Sequence, residues 1–213
     1  MTFSEFKNSI SKIENFEVLG EQAYLQMAPN FRKTELEQLD IEAKNPKEAG
    51  VMALFYPNSE EETCLTLILR KTYKGVHSAQ IGFPGGRREK KDKDLQDTAL
   101  RETHEEVGVH PKEIEVLKKL TKIYIPPSNF WVQPFLGIAH ETPNFKKQES
   151  EVEEILEVKL SDFLNNDNLV EETLSTSYAK NVSVPAFYLN QQIVWGATGM
   201  MLNEVKALLN EML

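Results

Sequence analysis

The segment GFPGGRREKKDKDLQDTALRETHEEVGV, Gly82 to Val109, decides how the rest of the chain is read. Its second half predicts a helix from about Asp94 to Val107. Gly108 stops it, because glycine takes up left-handed backbone without strain. At about 100° per residue, Ala99, Leu100, Thr103 and Val107 form one apolar stripe. Glu102, Glu105 and Glu106 stand at i, i+3 and i+4 and share a face that flanks this stripe. Carboxylates so spaced repel one another by roughly a few tenths of a kcal/mol per pair, and the helix dipole disfavours anions in the last turn. A helix selected for stability alone would not carry them. A hard divalent cation reverses the balance, since it takes oxygen ligands and neutralises the cluster. Glu102, Glu105 and Glu106 are therefore candidate metal ligands, and Arg101 is placed to orient one carboxylate through a bidentate pair. Ahead of the helix, Phe83-Pro84-Gly85-Gly86 allows main-chain groups to approach a ligand closely. The stretch RREKKDKD between the two carries basic residues that can meet phosphates, with Asp92 and Asp94 as further carboxylates.

These residues resemble the Nudix box, G-x5-E-x7-R-E-U-x-E-E-x-G-U with U aliphatic. Arg101, Glu102, Glu105, Glu106, Gly108 and Val109 match, and Thr103 stands at the first aliphatic position. One residue is inserted between Gly86 and Arg101, so Lys93 falls at the place of the loop Glu, and Asp92 is its stand-in. The resemblance implies an α/β protein with the Nudix α/β/α sandwich around a mixed sheet. It implies an enzyme, a pyrophosphatase that hydrolyses a nucleoside diphosphate linked to a further group. Arg101, Glu102, Glu105 and Glu106 are then the catalytic set, and Glu102, Glu105 and Glu106 hold Mg²⁺ or Mn²⁺. Asp92, Glu151 and Glu154 are candidates for an extra ligand or base.

Upstream, LRKTYKGVHSAQIGFPGG, Leu69 to Gly86, is similar to the extended signature of the coenzyme A pyrophosphatase branch. Arg70, His77, Gln80, Phe83, Gly85 and Gly86 carry that similarity and become the candidate substrate-binding residues; Ala79 stands where the signature has Gly. PPSNFWVQPFLG, Pro126 to Gly137, and VWGATGMML, Val194 to Leu202, also resemble segments of that branch. The substrate so implied is coenzyme A, cleaved to 3′,5′-ADP and 4′-phosphopantetheine. Arg70 would meet the 3′-phosphate, and Arg87 is a second candidate for phosphate contact. A Nudix hydrolase acting on ADP-ribose or another nucleotide stays open as an alternative, as does a non-catalytic nucleotide-binding sensor.

Outside the box, Phe3, Phe6, Ile10 and Ile13 recur at helical spacing over residues 3–14. Val51–Tyr56 and Cys64–Arg70 read as a strand pair joined by a turn. Val116–Ile125, Phe130–Ala139, Glu154–Lys159 and Val184–Leu189 read as further strands, and Ala197–Met212 as a helix with Met201, Val205, Leu208 and Leu209 on one face. Residues 1–46 form a helix and arm, and 47–213 the Nudix domain. Strands followed by helices without strict alternation suggest a mixed sheet covered by helices.

Composition sets the remaining bounds. The 213 residues are 40% hydrophobic, enough for a core. The single cysteine excludes an internally disulfide-stapled scaffold. A net charge of −9 argues against a general grip on nucleic acid, which needs a surplus of Lys and Arg. The start MTFSEFKNSISKIENF lacks the basic and apolar regions of a secretory signal. Runs such as LTLIL, Leu65 to Leu69, are too short to cross a bilayer. The expectation is a cytoplasmic protein that meets a small nucleotide, with no membrane partner; a homodimer is left open.

Overall fold

The apolar run from Val51 to Tyr56 becomes the middle of a sheet, in a computed structural model that describes residues 1–29, 36, 38–72, 80–174 and 181–213. The run lies in β1 (Lys47–Pro57), buried at every position from Ala49 onward. A strand covered on both faces reads as continuously apolar rather than alternating. It pairs antiparallel with β2 (Thr63–Arg70) and parallel with β7 (Phe130–Ala139). β3 (Ile81–Gly82) and β8 (Val152–Lys159) join β2, and β4 (Gly85–Arg87) joins the first half of β1. β5 (Ile114–Lys119) and β6 (Ile123–Ile125) pair with β7, which completes a mixed sheet.

Helices cover both faces. On one, Met52, Leu54, Tyr56, Ile68 and Phe135 pack against Ala99 and Val107 of α3 (Leu95–Val107). On the other, Ala53, Phe55, Leu65, Leu67 and Leu136 share a core with Leu202, Val205, Leu208 and Leu209 of α5 (Gly196–Met212). This is the α/β/α sandwich that the box resemblance implies. The second core also takes Phe3, Phe6 and Ile10 from α1 (Phe3–Ile10), and Ile13 from the single turn that follows. The helical spacing read over residues 3–14 thus buries all four side chains, although α1 itself ends at Ile10. The short helices α2 (Glu21–Tyr24) and α4 (Leu160–Leu164) fill gaps around that core. A separate antiparallel sheet follows, with β10 (Val182–Leu189) between β9 (Leu169–Leu174) and β11 (Gln192–Val194). Among the described residues, no helix is long and apolar enough to cross a membrane.

One expected strand is two. The run Val116–Ile125 breaks at Leu120–Lys122, because tertiary partners claim that backbone. The Leu120 carbonyl accepts from Gln133 Nε2 at 2.6 Å, and the Thr121 N–H donates to Glu204 at 3.1 Å. Glu204 lies buried on α5, where the Thr121 hydroxyl and the Gly20 N–H also donate to it. Burial pushes its carboxyl above the ordinary value, against the pull of these donors. The carboxylate thereby ties together the segment before α2, the β5–β6 connection and α5.

Glu204→Ala leaves those part-buried donors without an acceptor. It should destabilise the fold by about 3 kcal/mol in urea titration, and Glu204→Gln, which keeps an acceptor oxygen, by clearly less.

Candidate active site

α3 forms where its sequence says it should. Asp94 caps its N-terminus by accepting the Asp97 N–H at 2.8 Å, and Gly108 ends it in left-handed backbone at φ 82°. Ala99, Thr103 and Val107 are buried as the stripe requires. Thr103 fits an aliphatic position because its hydroxyl donates to the Ala99 carbonyl one turn back, at 2.7 Å.

Arg101 organises the polar side. Its guanidinium makes a bidentate pair with Asp92, Nε to Oδ1 at 2.8 Å and Nη2 to Oδ2 at 2.9 Å. Nη1 donates to Glu102 at 2.8 Å and to Glu105 at 3.0 Å, and Nη2 also reaches the Arg87 carbonyl at 3.1 Å. Asp92 accepts further bonds from Thr98 Oγ1 and the Glu89 N–H. The Arg101 guanidinium holds its carboxyl well below the usual carboxylate range. These contacts correct the expectation of Asp92 as a metal ligand or base: its oxygens are already taken, and it fixes Arg101.

Of the three box glutamates, two draw together and one turns away. Glu106 is 1% exposed. Its Oε2 accepts the Gly85 N–H at 2.7 Å, and its Oε1 lies 3.2 Å from Arg70 Nη1 with no hydrogen-bond donor of its own. Glu102 is held beneath Gly86, where a Cβ on that glycine would fall 2.5 Å from the carboxyl carbon. Glycine is required there because any side chain would displace the carboxylate. Glu105 is exposed and pairs with Arg101 and Lys91. The expected cluster of three is therefore a pair, Glu102 and Glu106.

Burial is the main reason both carboxyls sit high: Glu102 is raised, and Glu106 is pushed up to about 7. Arg70 and the Gly85 N–H pull Glu106 back, whereas Glu102 and Glu151 add to the rise. The field of Glu151 thus reaches both members of the pair. Glu154 stands opposite Leu69 in the β2–β8 ladder and is exposed. Strand alternation puts it on the face of Leu156 and Val158, away from α3.

Among the described residues, no three Asp, Glu, His or Cys side chains converge to hold a metal unaided. The pair nevertheless fits a hard cation. Both donors are carboxylate oxygens, and one buried oxygen lacks a hydrogen bond. Mg²⁺ commonly takes one or two carboxylates and completes its shell with water and substrate phosphates.

The upstream candidates divide. Phe83 is buried in the core shared with α5, which corrects its assignment to substrate binding. Gly85 and Gly86 line the carboxylate pair. Arg70 lies on Glu106, so its guanidinium is already engaged where a distant 3′-phosphate was expected to claim it. Alternation offered the clue, since Ile68, two residues earlier, faces α3. The Gln80 carbonyl accepts the Arg70 N–H at 3.1 Å, which closes β2 onto the segment before β3. His77, like Ala79, lies outside the described residues.

The model of the NUDIX domain matches residues 46–178. The chain belongs to the Nudix family. It is 30% identical over 145 residues to the uncharacterized Nudix hydrolase NudL of Pectobacterium atrosepticum, covering 66% of this chain and 72% of that one. It is 29% identical to Nudix hydrolase 15, mitochondrial, of Arabidopsis thaliana, across 61% of this chain but only 46% of the plant protein. A MutT/nudix family protein from Enterococcus faecalis shares the fold at a TM-score of 0.50 and 19% identity, over 98% of this chain and 73% of that structure. As a Nudix hydrolase the chain is an enzyme, a pyrophosphatase acting on nucleoside diphosphate derivatives. Enzymes of this family generally use divalent cations.

The high Glu106 carboxyl makes stability depend on pH in the absence of metal. A carboxyl raised in the folded state binds more protons than in the unfolded state, so stability falls as pH rises between the two values. In EDTA, the wild type should lose up to about 3 kcal/mol relative to Glu106→Gln between pH 4.5 and 7, then run parallel to it. Urea titrations of both proteins across that range read the difference.

Proposed function

We propose that this Nudix hydrolase cleaves coenzyme A at its pyrophosphate, giving 3′,5′-ADP and 4′-phosphopantetheine, with Mg²⁺ or Mn²⁺ held by Glu102 and Glu106. The observation that carries the reading is the run from Arg70 to Gly86. Its similarity to the coenzyme A branch leads directly into the two glycines that back the carboxylate pair. The diphosphate itself is common to many substrates, so the preference must come from contacts beyond it.

What a divalent cation supplies when bound is positive charge against the diphosphate oxygens and a lower pKa for water. The protein supplies position. Arg101, locked by Asp92, keeps Glu102 at the surface of Gly86, and the Gly85 N–H keeps Glu106 from turning. Arg70 brings a fixed cation to the same place, suited to a phosphate oxygen. Glu105 belongs to the support, since Arg101 and Lys91 hold it. Glu151 takes the proton from the attacking water: it lies within the field of the pair and makes no ion pair among the described residues.

Glu106→Gln keeps the shape and removes one ligand charge. Its kcat should fall at least about a hundredfold, with the fold retained; near-normal turnover would remove Glu106 from the ligand set. Turnover should require Mg²⁺ or Mn²⁺ and rise toward alkaline pH, and activity that survives EDTA would contradict the cation's part.

In a competition read by mass spectrometry, coenzyme A should be consumed in preference to ADP-ribose and nucleoside triphosphates. A kcat/KM for ADP-ribose at or above that for coenzyme A would move the reading to the alternative substrate.

A further inference from the structure

A second charged concavity opens one residue beyond Gly86. It is a cleft of about 340 Å³ at the start of β1, the end of β4 and the loop leading to α3. Lys47, Arg87, Arg88 and Lys90 supply its cations, and all four are exposed. Its lining also holds three acids, which at first sight would cancel them. Each acid, however, is drawn to a cation outside the cleft. Glu48 pairs with Lys122 at 3.0 Å, Glu89 with Lys91 at 3.2 Å, and Asp92 with Arg101 at 2.8 Å. Arg88 is tied as well, to Glu48 at 3.4 Å and to the Lys93 carbonyl at 2.9 Å. Lys47, Arg87 and Lys90 make no ion pair among the described residues. A positive concavity on a chain of net charge −9 is a local reversal of sign, which concentrates anions.

Its position suits a substrate. The Arg87 carbonyl accepts from the same guanidinium that holds Glu102, so the cleft and the carboxylate pair share one support. Phe130 lies in register beside Lys47, whose ammonium stands 5.8 Å from the centre of its ring. Arg70, the other candidate for a remote phosphate, is engaged on Glu106.

We propose that the cleft of Lys47, Arg87 and Lys90 binds a phosphomonoester on the nucleotide end of the substrate, outside the diphosphate that is hydrolysed. The assignment deepens the coenzyme A reading and rests on it, since it gives that reading a residue set that recognises the 3′-phosphate. It makes Arg87, Lys47 and Lys90 specificity residues rather than catalytic ones. All three side chains are exposed, so their replacement leaves both cores untouched.

The test compares ligands that differ by one phosphate. By calorimetry at fixed ionic strength, the wild type should bind 3′,5′-ADP at least about tenfold more tightly than 5′-AMP. Arg87→Ala and the double variant Lys47→Ala, Lys90→Ala should remove most of that ratio while changing 5′-AMP affinity less than about threefold. The same variants should lower kcat/KM for coenzyme A but not for dephospho-coenzyme A. Equal affinities in the wild type, or variants that weaken both ligands alike, would overturn the cleft assignment. Inorganic phosphate that competes as well as 3′,5′-ADP would also overturn it, by showing a site for the free anion. A wild type that cleaves neither coenzyme A nor dephospho-coenzyme A overturns the substrate reading instead, and the ratio of 3′,5′-ADP to 5′-AMP affinity still decides the cleft.

Discussion

The bidentate pair between Arg101 and Asp92 is the contact on which the site depends. It joins the middle of α3 to the loop that runs from β4 into that helix. Planar guanidinium and planar carboxylate meet here side by side through Nε and Nη2, so the pair sets an orientation as well as a distance. The remaining Arg101 donors then distribute the other acids. Glu102 is held toward Gly86, Glu105 is drawn to the exposed side, and the Arg87 carbonyl anchors the strand end. Glu106 lies beyond this reach. Its carboxyl is buried between Arg70 and the Gly85 N–H, and an acid pushed up by burial is characteristic of a site kept for chemistry rather than for stability.

Much of this was legible in the sequence where local signals and tertiary outcome agree. Asp94 and Gly108 bound α3 because capping is a local matter, and Phe130–Ala139 was read to the residue because the strand is flanked by turn-forming PPSN. The burial of Phe3, Phe6, Ile10 and Ile13 followed from spacing alone. Legibility failed where long-range partners decide. Nothing local separates β5 from β6; the break comes from Gln133 and from Glu204, the latter more than eighty residues away. β9 escaped notice because LVEETL buries none of its side chains fully. β3 and β4 are two and three residues long, held by pairing with β2 and β1 rather than by propensity.

Within the site the same division holds. A motif names residue types but not the direction in which a side chain leaves the backbone. Phe83 belongs to the sequence FPGG yet turns into the core, whereas its neighbour Gly85 offers its N–H to Glu106. Glu102, Glu105 and Glu106 share one face of a helical wheel, and their partners distinguish them: Gly86 and Arg101 for Glu102, Arg101 and Lys91 for Glu105, Gly85 and Arg70 for Glu106. β4 serves two surfaces in three residues. Gly86 pairs with Gly50 and backs the carboxylates, while Arg87 pairs with Ala49 and begins the basic cleft.

The carboxylate of Glu204 bears on how the molecule is made. Its contact with Gly20 spans 184 residues, and the core that holds Phe6 also needs Val205 and Leu208. At about 5–20 residues per second, a ribosome takes roughly 10–40 s to travel from one partner to the other. For that interval the apolar side chains of α1 are without the C-terminal half of their core, and a growing chain must keep them from other sticky surfaces. Closure waits on the later emergence of α5, so α1, made well before its partner, is among the last elements to settle.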